Sequence, residues 1–289
     1  MKKNPFRVFA QDDTGLTSGL VESHDGAQIY VETRGEGRPV LLVHGWTMTG
    51  RFWCRQMETL SREFQVVTMD LRAHGNSSKV LHGHTLPHYA NDVRAVIEAL
   101  ALEKTTLVGW SLAGPVVLEY WRQFGNRHIG ALGLVEMTPF PFSPGDWNTH
   151  ALSGYRFDGM NLTFKNLQAD RRTFTEKFIH SMFKEGRASS EELSWMLEES
   201  MNTPTPVMMA IYSDYLMRDY TEILPTVSVP SLAVYGNSDN PCFRPKMGRY
   251  ISEQIPNARL MILEKSGHLP FYEQPEEFNQ ALAELPEST

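Results

Sequence analysis

Six short, mostly apolar runs recur along this chain, each cut off by a glycine or a polar residue: Pro39–Val43, Gln65–Met69, 105–108, 131–135, 231–235 and 259–263. Runs of this length without polar alternation suit strands buried on both faces, which is the condition of a parallel sheet. Helical patterns lie between them. Residues 51–62 carry apolar side chains at helical spacing, and 89–100 place Val93, Val96, Ile97 and Leu100 on one face. Residues 111–124 read as a third helix, and 275–285 open on Pro-Glu-Glu, a good helix start. Strand and helix in alternation predict an α/β protein with a mostly parallel, doubly wound sheet and right-handed crossovers.

Two candidate strands, 19–23 and 28–33, precede this series with Asp25-Gly26 as the turn between them. Residues 1–18 read as a polar, irregular arm. One long stretch breaks the alternation. Pro139, Pro141 and Pro144 open it, and helical patterns follow at 171–184, 190–201 and 207–218, interrupted by Thr203-Pro-Thr-Pro206. The expected organisation is a core of residues 1–137 and 228–289 with a helical cap, 138–227, inserted above the carboxyl ends of the strands, where ligands bind in such sheets.

Net charge is −7 and no basic run is present, which argues against a nucleic-acid partner. The two cysteines, Cys54 and Cys242, do not suggest a disulfide framework. No apolar stretch of signal-peptide or membrane-spanning length is found, so the expected location is the cytoplasm, with no membrane partner. The sequence says nothing of oligomeric state.

The sharpest chemical signal is Leu107-Val-Gly109-Trp-Ser111-Leu-Ala113-Gly114. An apolar strand ends, a serine follows among small residues, and a helix begins at once. Small neighbours permit a tight strand-to-helix turn that exposes the serine hydroxyl, and the Leu112 N–H at the helix start can meet a developing oxyanion. A plain serine N-cap is the competing reading. His44-Gly45-Trp46 follows the Pro39–Val43 run and offers the Trp46 N–H as a second oxyanion donor. Serine is a poor nucleophile without a base, and the base needs an orienting carboxylate. His268, after Gly267, supplies the base, and Asp239, in the turn Gly236-Asn-Ser-Asp239, supplies the carboxylate. Glu136, at the end of the 131–135 run, is the rival acid, ranked lower because Asp239 sits in a turn. Asp70-Leu-Arg72-Ala-His74-Gly75-Asn-Ser77 reads as bracing for the site loops. His82, His84 and His88 match no tetrahedral spacing, and no cysteine or carboxylate completes them, so neither metal nor cofactor is expected.

Together, His44-Gly45-Trp46, Asp70-x-Arg72-x-His74-Gly75-x-Ser77, Gly109-x-Ser111, Gly236-x-x-Asp239 and Gly267-His268 resemble the α/β-hydrolase superfamily, over nearly the whole chain from Gly19. The resemblance is to small serine esterases and cofactor-free haloperoxidase-like hydrolases. It implies Ser111, Asp239 and His268 as a catalytic triad and the Trp46 and Leu112 amides as the oxyanion hole. Ala113 stands where the family usually has glycine, and Ser-Leu-Ala-Gly replaces the Ser-Met-Gly-Gly of haloperoxidase-like members. Serine at 111 argues against the dehalogenases and epoxide hydrolases, whose nucleophile is aspartate.

The leading expectation is hydrolysis of a carboxylic ester or lactone through an acyl-enzyme, with a small apolar molecule as substrate. Transfer of the acyl group to another acceptor, a receptor role without turnover, and cofactor-free oxygenation or carbon–carbon cleavage remain open alternatives. Trp46, Trp110, Met137, Phe140, Phe142 and Trp147 are the expected pocket lining, although large aromatics also serve simply to pack a cap on a core.

Overall fold

The computed structural model describes residues 6–238 and 243–285. Its centre is a nine-stranded sheet, in the order β1-β2-β3-β5-β4-β6-β7-β8-β9. The strands are β1 (Phe6–Gln11), β2 (Thr17–Glu22), β3 (Gln28–Arg34), β4 (Pro39–Val43), β5 (Gln65–Met69), β6 (Thr105–Trp110), β7 (Ile129–Val135), β8 (Ser231–Gly236) and β9 (Ala258–Leu263). From β5 to β9 every neighbouring pair is parallel, while β1, β2, β3 and β5 pair antiparallel.

The period of two explains how the central strands hold both faces. In β4, Leu41 and Val43 join the core on one side, and Val40 and Leu42 join the core on the other. The first side is covered by α2 (Leu86–Ala99) and α3 (Ala113–Phe124), through Tyr89, Val93, Ile97, Val116 and Val117. The opposite side receives Phe52, Trp53, Met57 and Leu60 from residues 50–60, which hold a short 3-10 turn and α1 (Cys54–Leu60). Phe271 and Phe278 complete that layer.

The six apolar runs are all strands, within a residue or two of their expected ends. Two differences have physical causes. Residues 6–11 form β1 rather than an irregular arm: this edge strand leaves most of its side chains exposed, with Val8 51% and Phe9 55% accessible, so no burial period marks it. Residues 157–169 form a helix, α4 (Phe157–Ala169), that was not expected; Leu167 alone is buried on it, so its apolar face is too narrow to stand out. After it come α5 (Arg171–Met182), α6 (Ser190–Met201) and α7 (Thr205–Leu216), all between β7 and β8. The sequence anticipates α6 well, since Ser189 and Glu192 form a reciprocal capping box. A further helix, α8 (Pro245–Gln254), packs Met247 and Ile251 inward. The last elements among the described residues are a short helical turn, α9 (Pro270–Glu273), and α10 (Pro275–Ala283).

Candidate active site

Ser111 occupies the first position of the two-residue corner between β6 and α3. Its φ is +57°, in the left-handed region that side chains rarely adopt. Such strain persists only where the surroundings impose it. Here the Ser111 N–H donates to the Val135 carbonyl at 2.8 Å, and the Gly114 N–H donates to the Ser111 carbonyl at 2.9 Å. Glycine is required on either side of the corner. A Cβ on Gly109 would strike the Ala113 carbonyl, and one on Gly114 would lie 2.5 Å from Met137 Cβ. Position 113 itself is not so confined: Ala113 is fully buried and its methyl packs in the core. The departure from the family's usual glycine is therefore accommodated.

The loop after β4 lies directly against the serine, since a Cβ on Gly45 would come within 3.1 Å of Ser111 Cβ and 3.3 Å of the Trp110 ring. His44 anchors this loop from below. Its Nδ1–H donates to the Gly45 carbonyl at 2.8 Å, and its Nε2 accepts the Leu71 N–H at 2.9 Å. That pattern needs a neutral ring, and complete burial lowers the imidazole pKa to about 4. Among the described residues, the Trp46 and Leu112 backbone N–H groups donate to no acceptor, and both residues border the same pocket as Ser111. Unclaimed N–H groups at a helix start beside a serine can stabilise a tetrahedral oxyanion.

His268 lies on the loop between β9 and α9. Gly267 lets this loop run close to α5, where a Cβ would meet the Met182 carbonyl at 2.6 Å. The His268 N–H donates to that same carbonyl at 2.6 Å, and the Trp110 indole donates to the His268 carbonyl at 2.8 Å. Glu273 ties the loop to the end of α5 by accepting the Gly267 and Lys184 N–H groups. Backbone, indole and carboxylate thus hold the imidazole in place.

The carboxylate on this imidazole is Glu136. Its Oε2 accepts the His268 Nδ1–H at 2.9 Å, and its Oε1 accepts the Gly236 N–H at 2.6 Å. Glu136 also has a left-handed backbone, with φ +47°, at the end of β7. Asp239, expected in this role from its turn, lies outside the described residues. Burial pushes the Glu136 carboxyl well above its usual range, and the Gly236 N–H opposes that shift. Burial pushes the His268 imidazole the other way, toward its neutral form. A neutral imidazole that donates from Nδ1 carries its lone pair on Nε2, the form a general base requires.

Ser111 and His268 border one pocket of about 180 Å³. Trp46 and Leu112 line it from the sheet side; His150, Phe178, Ser181, Tyr212, Tyr215 and Phe243 complete it. The aromatic residues expected there divide. Trp46 lies on the pocket, stacked on Tyr212 at 4.7 Å, with its indole donating to the Met208 carbonyl. Trp110 packs beneath it against Phe52 and Phe271, and Met137 is sealed against Gly114. Phe140 and Phe142 pack on Tyr155, and Trp147 stacks on Tyr250 at 4.2 Å, so none of these three borders the pocket. The residues that replace them come from α5, α7 and two loops. Their distance in sequence from Ser111 left no local signal.

The polar segment after β5 braces its surroundings. Asp70 accepts the Gly50 and Asn76 N–H groups at 2.7 Å each, and buried Arg72 pairs with Asp92 and Asp25. The fold does bring a carboxylate to the histidines of this region: His24, Asp25 and His88 offer donor atoms within 4.8 Å of one another. Both Asp25 oxygens face the Arg72 guanidinium, at 2.7 and 3.3 Å, which accounts for that carboxylate as an ion-pair partner.

A sequence profile described as the alpha/beta hydrolase fold matches residues 38–275, and this chain belongs to that family. Among curated relatives, the bifunctional esterase/perhydrolase DCH of Acinetobacter calcoaceticus is 29% identical over 249 residues, covering 84% of this chain and 90% of its own. Among solved structures, the esterase EaEST from Exiguobacterium antarcticum superposes with a TM-score of 0.82 at 25% identity, covering 91% of this chain and 97% of its own. The bromoperoxidase from Bacillus anthracis gives 0.84 at 25% identity, over 92% and 98% of the two chains. No helix among the described residues is long and apolar enough to cross a membrane.

Proposed function

We propose that this protein is a serine hydrolase of small carboxylic esters or lactones, with Ser111 as nucleophile, His268 as general base and Glu136 as the carboxylate that orients the base. The observation that carries this reading is the meeting of two constrained groups in one pocket. One is a serine held at φ +57° on a strand-to-helix corner; the other is a buried histidine with a carboxylate on its Nδ1.

In the proposed reaction His268 Nε2 takes the Ser111 hydroxyl proton as Oγ attacks the substrate carbonyl carbon. The carbonyl oxygen becomes an oxyanion and receives the Trp46 and Leu112 N–H groups, each worth about 3 kcal/mol in such a site. Collapse breaks the bond to the alcohol oxygen, which leaves with the proton from His268. Water then attacks the acyl-enzyme, His268 accepts its proton, and the acid departs as the proton returns to Ser111. Glu136 stabilises the imidazolium formed in both halves and holds the tautomer. The helices between β7 and β8 act as a cap, since Phe178, Tyr212 and Tyr215 close the pocket from α5 and α7.

Labelling with a fluorophosphonate, with the modified peptide identified, tests the assignment. Ser111 is expected to carry the label, and an unlabelled Ser111 in folded protein would overturn it. The esterase/perhydrolase relative favours a second reading in which peroxide replaces water at deacylation. Product analysis with peroxide and water in competition separates the two.

A further inference from the structure

His150 has no part in the chemistry described so far, yet it borders the same pocket as Ser111 and His268. It retains 6% of its surface. Its neighbours are aromatic, with Tyr215 edge-on at 6.5 Å and Phe243 at 5.7 Å. Phe243 in turn lies flat on the His268 imidazole, at 4.8 Å and 10°. One phenyl ring therefore touches both imidazoles.

The tautomer of His150 is set by its own loop. Nδ1 accepts the Leu152 N–H at 3.2 Å, so the ring proton sits on Nε2. Among the described residues Nε2 has no hydrogen-bond partner. Burial lowers the imidazole pKa to about 4, which keeps the ring neutral at neutral pH. The pocket thus holds an N–H donor without a charge, and no lysine or arginine lines its described walls. A carboxylate placed there would be buried without a counter-charge, which is strongly unfavourable. A neutral oxygen would satisfy the donor.

We propose that the His150 Nε2–H is a substrate-binding donor that selects esters or lactones bearing a second, neutral oxygen, such as a ketone, apart from the scissile carbonyl. This rests on the assignment of Ser111 and His268 above. The selectivity follows from an asymmetry: a donor paired by the right substrate is left desolvated and unpaired by an analogue that lacks the oxygen. A hydrocarbon substrate therefore loses more than the hydrogen bond itself.

The test compares p-nitrophenyl hexanoate with its 4-oxo and 5-oxo analogues, each rate divided by that of hydroxide-catalysed hydrolysis. The wild-type protein is expected to favour at least one keto ester by about tenfold or more in kcat/KM. His150→Phe, which keeps a ring and loses the donor, should bring the ratio near one. His150→Gln, which restores an amide N–H, should recover part of the preference. The thermal unfolding midpoint of His150→Phe, measured beside wild type, separates loss of recognition from loss of fold. No keto preference in wild type, or a preference that survives His150→Phe, overturns the proposal. If either result comes with fluorophosphonate labelling of Ser111, only the role of His150 falls. If Ser111 is not labelled, the hydrolase reading falls first.

Discussion

Glu136 reaches His268 from the neighbouring part of the sheet: its Oε2 lies 2.9 Å from the imidazole Nδ1, while its Oε1 takes the Gly236 N–H at the end of β8. The parallel pairing of Val135 with Val234 sets this meeting, because it brings the ends of β7 and β8 side by side. A left-handed backbone at Glu136 then turns the side chain under the histidine loop.

Replacing this carboxylate should therefore impair the reaction far more than replacing Asp239. Glu136→Gln is expected to lower kcat by up to roughly ten-thousandfold, as loss of a triad carboxylate can. Asp239→Asn should leave kcat within about tenfold of wild type. Steady-state kinetics on a p-nitrophenyl ester decide the matter, and the reverse ranking would return the role to Asp239.

Stability should fall on mild acidification through His44. Its folded pKa is lowered to about 4 from an ordinary 6.5, because burial disfavours the charged imidazole. A base with a depressed folded pKa contributes fully above pH 6.5 and loses that contribution as pH falls toward 4. The lost amount is about 3 kcal/mol for this group. Urea unfolding of wild type and His44→Gln at several pH values should show a flatter profile in the variant, whose side chain does not titrate in this range. Equal slopes would refute the assignment.

Gly114→Ala should destabilise the protein although alanine favours helices. The new methyl would meet Met137 Cβ, Cγ and Cε at 2.5, 2.6 and 2.8 Å. Overpacking of this kind costs about 1–3 kcal/mol, against a helix gain of about 1 kcal/mol. Because Met137 directly follows Glu136, a displaced Met137 should also lower kcat. Denaturant midpoint and kcat, measured on the same preparation, should both fall.

Trp46→Ala should widen acyl specificity. The indole stacks on Tyr212 and donates to the Met208 carbonyl, so it forms one wall of the pocket and ties that wall to α7. Truncation of a buried tryptophan costs about 3–5 kcal/mol of stability. In kcat/KM across p-nitrophenyl esters of increasing chain length, the optimum should move to longer chains. An unchanged optimum would show that Trp46 does not limit the pocket.

Much of the molecule was legible locally. The runs that became β4 to β9 announce themselves because burial on both faces leaves no room for polar alternation. Ser111 and the His268 loop are visible because a tight corner and a loop passing close to α5 demand small residues at Gly109, Gly114 and Gly267. Those demands act on residues adjacent in the chain, so the chain alone records them. The carboxylate partner of His268 is a different kind of fact. Glu136 follows an apolar run without any turn signal, and its role depends on the registry of β7 with β8 and on a φ of +47°. His150, Tyr212 and Tyr215 likewise meet Ser111 only because the segment between β7 and β8 folds back over the sheet, and Phe243 joins them from the loop after β8. The sequence by itself determined the fold class and the Ser111 corner, through local backbone geometry and periodicity. Only the tertiary structure decided which acid faces the histidine and which side chains line the pocket. Those choices are made by contacts between segments about a hundred residues apart, which no local pattern encodes.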